Sequence, residues 1–501
     1  MADVLLTHSY HLPYDRKQLR KMEPYPPLGT LYAAGLLRAH GVSVAVFDSM
    51  LQEPSSGLKE AIRQHRPRIV AIYEDDFNFL TKMCLTRMRK LAWEMIDIAR
   101  QNGARVLVHG SDATDHAATF LERGADAVLE GEAEYPLLFA VRAILGNSGV
   151  GDISTTPAGH GWTHKKDPRF SPATLPLPAR DLIDLSLYRE AWKDAHGVFS
   201  LNLIASRGCP FHCNWCAKPI FGDKYYLRPA SAVAEEMRLL KETYGAEHLW
   251  FADDIFGLNR HWLAEFALAV ENLGCAFPFK VQARADLVTH ETATALRRAG
   301  CAEVWMGVES GSQKILDVMD KGLHLDEIVC AREQLKNQGI RTCYFLQLGY
   351  PGERWKDIQK TIALVRETRP DDIGVSFSYP LPNTRFYARV KQQLGAKQNW
   401  SDSEDLCVMF KGTYNDQFYR AIRDALHEEV KSWKSGGEQM HHAQRSADLW
   451  KLVESLEPIS RNADPTELPE ITSDREFTGF PPGTHFVPLR TVVGGRGEVN
   501  E

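Results

Sequence analysis

The sequence predicts an α/β protein built as two successive parallel-sheet modules followed by a mostly helical C-terminal region. Three observations predict it. Short β-rich runs alternate with helical stretches over residues 1–145, the alternation lapses over 146–199, and it resumes as six strand–helix repeats over 200–390. Strands that alternate with helices pair in parallel through right-handed crossovers.

In the first module, strands are expected at 4–7, 42–48, 68–73, 105–108 and 127–129, and helices at 28–39, 56–65, 78–102, 113–123 and 134–145. Five strands suit a flavodoxin-like, doubly wound order, whose ligands lie beyond the C-terminal strand ends. A basic and aromatic loop, residues 10–25, follows the first strand at that ligand-facing edge, placed to recognise substrate or to cover a cofactor. Residues 146–199 are rich in Gly, Pro, Thr and Ser and read as a linker, with Leu175-Pro176-Leu177-Pro178 stiff and extended.

In the second module, strands are expected at 200–205, 248–252, 279–283, 303–307, 343–348 and 373–378. Six repeats exceed a small sheet and fall short of an eight-fold barrel, so a partial (β/α)6 TIM-type barrel is expected, working at the C-terminal ends of its strands. Residues 391–501 form the helical C-terminal region, with helical spacing at 416–433 and 440–456. Gly412-Thr413-Tyr414 and Phe418-Tyr419-Arg420 are candidates to line a pocket there. The last forty residues, rich in Pro, Gly, Glu and Thr, read as a partly disordered tail.

Composition narrows the function. With 59 Lys plus Arg against 65 Asp plus Glu, the net charge of -6 argues against nucleic acid as a partner. The first residues read as a strand rather than a signal peptide, and no apolar run is long enough to span a membrane. Nine scattered Cys argue against a disulfide framework and for a reducing, cytoplasmic setting.

Ser206-Arg207-Gly208-Cys209-Pro210-Phe211-His212-Cys213-Asn214-Trp215-Cys216 places C-x3-C-x2-C just after the first barrel strand. Gly208 and Pro210 keep this stretch from becoming a regular helix, so three thiolates sit on a loop at the barrel mouth. Thiolates are the soft ligands of iron–sulfur clusters, and three of them leave one iron of a cubane open to a further ligand. Trp215 is placed to cover such a cluster. The alternative is a zinc site completed by His212 or a distant residue, but such sites usually pair two clusters and no second one is present. Cys84, Cys275, Cys301, Cys330, Cys343 and Cys407 are isolated and read as small apolar residues.

This motif after a first barrel strand resembles the radical S-adenosylmethionine (SAM) superfamily. The resemblance implies a [4Fe–4S] cluster on Cys209, Cys213 and Cys216, with SAM on its open iron and cleaved to methionine and a 5′-deoxyadenosyl radical. It also implies SAM contacts at the strand ends that follow: Asp253 and Asp254 after the second strand, Arg284 after the third, and Glu309 and Ser310 in Gly307-Val308-Glu309-Ser310-Gly311-Ser312 after the fourth. Each has a plainer reading beside it, such as a helix cap for the aspartates or an ion pair with Asp286 for Arg284. Gly349-Tyr350-Pro351-Gly352-Glu353 and Pro380-Leu381-Pro382-Asn383-Thr384 are similar to family turns or are rigid punctuation.

A doubly wound domain ahead of such a barrel resembles the cobalamin-binding class of that family, as do Pro26-Pro27-Leu28-Gly29, Asp48 and Gly131-Glu132-Ala133-Glu134. Cobalamin contacts are then expected at His109, Gly110, Ser111, Gly131 and Glu132, with His116 nearby. The cobalt-ligating Asp-x-His-x-x-Gly spelling is absent, and Asp112-Ala113-Thr114-Asp115-His116 does not supply it. The resemblance implies a cobalamin-dependent radical SAM methyltransferase. One SAM yields the radical that takes hydrogen from an unactivated carbon, methylcobalamin delivers the methyl group, and a second SAM restores it. An oxidative cyclase or ring-rearranging enzyme of the same architecture is one alternative, and a non-catalytic corrinoid or iron–sulfur sensor is another. Expected partners are a small-molecule or peptide substrate and an electron donor such as a flavodoxin or ferredoxin. A lipid, a peptide side chain and an antibiotic scaffold all fit as substrate.

Overall fold

The computed structural model describes residues 1–146, 175–405, 407–434 and 438–467. Most of the expected linker and the expected disordered tail lie outside the described residues.

The first sheet holds β1 (Val4–Thr7), β2 (Val44–Val46), β3 (Ile69–Tyr73), β4 (Arg105–His109) and β5 (Ala127–Leu129), all parallel, in the order β2-β1-β3-β4-β5. This is the flavodoxin-like order expected. β1 and β3 are buried at every position, as central strands covered on both faces must be. Helices Leu28–Ala39 and Glu134–Ile144 pack on one face, and Pro54–His65 and Thr86–Gln101 on the other, each over its own apolar core. The chain turns opposite ways from β1 and β3, so the crevice between their C-terminal ends is the switch point where ligands bind in such sheets.

Two helices expected as continuous are broken. The stretch expected at 78–102 forms Phe79–Lys82 and Thr86–Gln101, separated by Cys84 in the left-handed region at φ 51°. The one expected at 113–123 forms Ser111–Asp115 and Ala117–Glu122, interrupted at His116. In both cases an apolar pattern runs through a turn that tertiary contacts impose.

The stretch expected as a linker contains a three-turn helix, Leu185–His196. Asp184 caps it by accepting from the Ser186 N–H, and Gly197 ends it in the left-handed conformation. It buries Tyr188 and Trp192, four residues apart on one face. Gly, Pro and Ser around it masked that short pattern.

The second sheet runs β13-β12-β11-β10-β9-β6, all parallel, from β6 (Ser200–Leu203), β9 (His248–Phe251), β10 (Phe279–Ala283), β11 (Cys301–Glu309), β12 (Arg341–Leu348) and β13 (Asp372–Phe377). The sheet is open between β6 and β13, as a six-repeat barrel must be. After β6 the chain makes a small antiparallel hairpin, β7 (Ser206–Arg207) with β8 (Tyr226–Leu227), and the cysteine loop is the connection between them. Helices Asp416–Ser432 and Gln439–Leu456 pack together, and the first lies against β13. Tyr414, Phe418 and Tyr419 are buried in the core there, rather than lining an open pocket.

Candidate active site

The C-terminal ends of both sheets face one another. Phe77, beyond β3, stacks on Phe221 of the cysteine loop with centroids 5.2 Å apart. Asp115, beyond β4, accepts from Asn383, beyond β13, at 2.7 Å. Lys82 reaches across to Asp254, beyond β9, and Arg207 of β7 reaches Glu132 and Glu134, beyond β5. The cysteine loop lies within this junction.

Backbone geometry shapes the loop. Gly208 has φ 78°, and a Cβ there would strike the Lys224 carbonyl across the hairpin, so only glycine fits ahead of Cys209. Asn214 anchors the middle of the loop, donating from its side chain to the Val318 carbonyl at 2.7 Å and accepting from the Tyr350 hydroxyl at 2.9 Å. Lys218 donates to the carbonyls of Cys209 and Phe211 at 2.9 and 2.7 Å. Trp215 packs against Tyr379 at 6.3 Å.

The three motif thiols are partly exposed and close enough to act on one another electrostatically. Burial pushes the Cys209 thiol up to about 11 and the Cys216 thiol up to about 12, and neighbouring thiolate charge adds to both. Loading iron there must therefore displace protons. Among the described residues no group of three or more His, Cys, Asp or Glu side chains closes into a single-ion cage. An open loop of three soft ligands, backed by cations, suits the wider anionic cubane.

Those cations form three pairs. Lys82 pairs with Asp254, Arg284 with Asp286 at 3.0 Å, and Lys321 with Glu309 at 2.9 Å. Each cation also senses the thiolate charge of one or two of the cysteines, and the Arg284 guanidinium lies 4.0 Å from the Cys213 sulfur. Burial works against the charge on Lys82 and Lys321, but Asp254 and Glu309 outweigh it and hold both amines above their ordinary values. Arg284 also donates to the carbonyls of Lys321 and Gly322 at 2.8 and 2.9 Å and lies 3.9 Å over the Phe211 ring. Glu309 sits at the β11 bulge with φ 60°, which turns its carboxylate toward Lys321.

Two residues named from the sequence are otherwise engaged. Asp253 accepts from the Ala205 N–H at 3.0 Å and from the Ser206 hydroxyl, stitching the end of β9 to the start of the cysteine loop. Burial pushes its carboxyl up to about 7, against those donors. Ser310 is buried, with its hydroxyl 3.2 Å from that of Thr361.

On the opposite face, His109 is buried with both ring nitrogens engaged, Nδ1 with the Leu129 carbonyl at 2.9 Å and Nε2 with Asp76 at 2.8 Å. Gly110 has φ 145°, and a Cβ there would meet the Glu74 side chain at 2.7 Å. The Ser111 hydroxyl is buried and finds no hydrogen-bond partner among the described residues. Gly131 donates its N–H to Thr114 Oγ1 at 3.2 Å, and Glu132 accepts from Arg207 at 3.1 Å. His116 is part-exposed, 3.8 Å from Asp112. Asp48 accepts from Tyr188 at 2.6 Å and lies 2.9 Å from His8.

Sequence reasoning did not single out Lys82, Lys321 or, as a functional residue, Arg207. Lys82 was hidden inside a helix that looked continuous. Lys321 follows a short helix in Met319-Asp320-Lys321-Gly322, where a lone lysine reads as surface, yet it is buried.

The radical SAM superfamily model matches residues 203–365. An uncharacterised methyltransferase of Pyrococcus horikoshii is 25% identical over 413 residues, spanning 80% of this chain and 86% of its own. The hopanoid C-3 methylase of Methylococcus capsulatus is 25% identical over 410 residues, 78% of this chain and 73% of its own. The anaerobic magnesium-protoporphyrin IX monomethyl ester cyclase of Rubrivivax gelatinosus is 24% identical over 392 residues, 76% of this chain and 68% of its own. In fold, the chain matches the radical SAM methyltransferase TsrM of Kitasatospora setae, solved with cobalamin and a [4Fe-4S] cluster, at TM-score 0.64 and 18% identity over 79% of each chain. It matches the cobalamin-dependent radical enzyme OxsB, solved with aqua-cobalamin and SAM, at TM-score 0.67 and 15% identity over 92% of this chain and 71% of that one. Residues 203–365 match the radical SAM superfamily, and the chain shares the two-module fold of TsrM and OxsB.

Proposed function

We propose that this chain is a cobalamin-dependent radical SAM methyltransferase acting on an unactivated carbon. The observation that carries the reading is the facing of the two C-terminal edges, with the cysteine loop held between them. When bound, the cluster with SAM supplies a hydrogen-abstracting radical, and the corrinoid supplies a transferable methyl group.

The chain's own residues prepare that junction. Cys209, Cys213 and Cys216 offer three ligands, and Lys82, Arg284 and Lys321 oppose their charge. A zwitterion such as SAM fits a ring of cation–carboxylate pairs because its ammonium and carboxylate can exchange with Asp254 and Arg284. Asp253 and Asn214 act as positioning residues that hold the start and the middle of the cysteine loop. The Gly110 backbone and the Ser111 hydroxyl lie at the opposite edge, where a corrinoid would rest. Neither His8 nor His109 is free to ligate cobalt, since both are engaged within the fold.

A second reading, oxidative cyclisation without methyl transfer, draws support from the likeness to the anaerobic cyclase. Anaerobic reconstitution with iron, sulfide and hydroxocobalamin tests the first. About four irons and one cobalt per chain are expected, with 5′-deoxyadenosine and methionine formed from SAM. Iron with SAM cleavage but no cobalt would sink the methyltransferase reading. Label from methyl-SAM in the product separates methyl transfer from cyclisation.

A further inference from the structure

The two faces of the barrel sheet are filled differently. Alternate residues of its strands point outward, where Phe251 and Phe279 meet Phe266 of helix Arg260–Leu273 at 5.8 and 6.4 Å, and Val281, Val304 and Leu346 are buried. The residues between them face the interior, and there Trp250, Lys280, Gln282, Trp305, Phe345 and Ser376 all remain partly exposed. A packed barrel fills its interior with layers of branched apolar side chains. No inward position of these six strands carries Leu, Ile, Val or Met, and the interior stays open to solvent.

Two aromatic rings stand in that interior. Trp305 of β11 and Phe345 of β12 stack with centroids 4.8 Å apart and planes 28° from parallel. Among the described residues neither ring joins a buried apolar cluster. Their arrangement is fixed from two sides. The Trp305 indole N–H donates to Glu303 at 2.7 Å, and Arg341 holds Glu303 at 3.2 Å. Both rings lean over Gly374 of β13, where a Cβ would lie 3.2 Å from Phe345 and 3.4 Å from Trp305. Glycine inside a strand weakens it and often marks a close approach. Here it lets the two rings lie flat.

The stack borders the cluster of cation–carboxylate pairs at the cysteine loop. Phe345 is in register with Gly374 on one side and Gly307 on the other. The space that a Cβ on Gly307 would take is occupied by the Glu309 carboxylate and the Lys321 ammonium, each 2.8 Å from it. A molecule resting on the rings therefore lies next to the Glu309–Lys321 pair. On the other side of β10, Trp250 packs against Tyr25 at 4.8 Å, and Tyr25 reaches Ser200 of β6 at 3.1 Å, so residues 10–25 line the β6 side of the same interior.

A rigid, nearly parallel pair of rings suits one kind of occupant. Aromatic rings prefer offset stacking on a flat face, and a further ring continues this pair. An aliphatic chain gains nothing from flatness and is better met by adaptable side chains such as Met, which this interior lacks. We propose that Trp305 and Phe345 form the recognition wall for the substrate, and that the substrate carries a planar aromatic ring laid against them. This rests on the reading of the barrel as the reaction chamber and gives a chemical class to a substrate otherwise undefined. Both residues set specificity and position the ring beside the Glu309–Lys321 pair.

The test is equilibrium dialysis of the anaerobically reconstituted full chain, with SAM present, against 2-naphthol and its saturated counterpart decahydro-2-naphthol. The two compounds share a carbon skeleton and a hydroxyl and differ in planarity. The expected result is saturable binding of 2-naphthol with a Kd of about 1 mM or below, and about fivefold or more weaker binding of the saturated compound. Phe345→Leu keeps an apolar side chain but loses the flat face, and is expected to bring the two affinities to within about twofold of each other. Gly374→Ala, which crowds both rings, acts in the same direction. Unchanged far-ultraviolet circular dichroism and iron content in Phe345→Leu show that the fold and the cysteine loop are intact. Equal binding of the two compounds by the wild-type chain overturns the proposal in favour of an aliphatic substrate. Selectivity retained in Phe345→Leu, or no saturable binding of 2-naphthol, overturns it outright. SAM cleavage measured on the same wild-type sample reports separately on the enzyme reading.

Discussion

Arg207 and Glu134 lie 2.6 Å apart with both side chains buried, although one opens the cysteine loop and the other begins the helix after β5. Glu132 joins them at 3.1 Å, and the Arg207 guanidinium lies 5.2–5.3 Å from the rings of Tyr32, Phe77 and Phe221. Burial works against this charge, but Glu134 and Glu132 outweigh it and raise the Arg207 pKa far above its ordinary value. One cation thus joins the two modules two residues ahead of Cys209. Removing it leaves two buried carboxylates without a counter-ion. Arg207→Met is expected to cost about 3–5 kcal/mol in chemical denaturation. Adding Glu132→Gln and Glu134→Gln to that variant recovers a large part of the loss. No recovery would mean that the aromatic packing, not the charge, is what matters.

At the next residue, Gly208→Ala forces a Cβ against the Lys224 carbonyl at φ 78°. The chain is expected to keep its far-ultraviolet circular dichroism while iron loaded on reconstitution falls by half or more. Normal iron content would show that the hairpin yields.

Single Cys209→Ser, Cys213→Ser and Cys216→Ser variants are each expected to lose the iron–sulfur absorbance, since each removes one of three soft ligands. Cys330→Ser, at an exposed cysteine, is expected to retain it. Iron analysis of the four proteins decides this.

Lys82 sets positive charge beside Cys209 and Cys216 from across the junction. Lys82→Met is expected to move the cluster midpoint to more negative potential, because the reduced, more anionic state loses a stabilising cation. Spectroelectrochemical titration reads it directly, and a positive shift would contradict the placement.

Glu353 is fully buried in the turn after β12, accepting from the Gly349 N–H at 2.6 Å. Burial raises its carboxyl to about 8, with Asp357 adding and the Gly349 N–H opposing. The folded chain therefore holds a proton that the unfolded chain releases above about pH 4.5, so stability falls as pH rises toward 8 and levels off beyond. Glu353→Gln removes this dependence and is expected to gain about 4 kcal/mol relative to wild type at pH 9 compared with pH 5. Urea denaturation at both pH values measures the difference.

Most of the architecture was legible in the sequence because parallel sheets write themselves as buried apolar runs between helices. β1, β5 and β10 fall at the expected bounds, and the others within a few residues. The cysteine spacing was legible for a different reason, since gathering three thiols on a short loop needs only local backbone. What the sequence could not display is which charges meet. Asp254 with Lys82, and Glu132 and Glu134 with Arg207, are separated by 172 and roughly 75 positions. No periodicity links residues that far apart. Local pattern determined the elements and the three-cysteine motif. The docking of one sheet's C-terminal edge onto the other decided which side chains share the site, because only burial made each isolated charge require a partner.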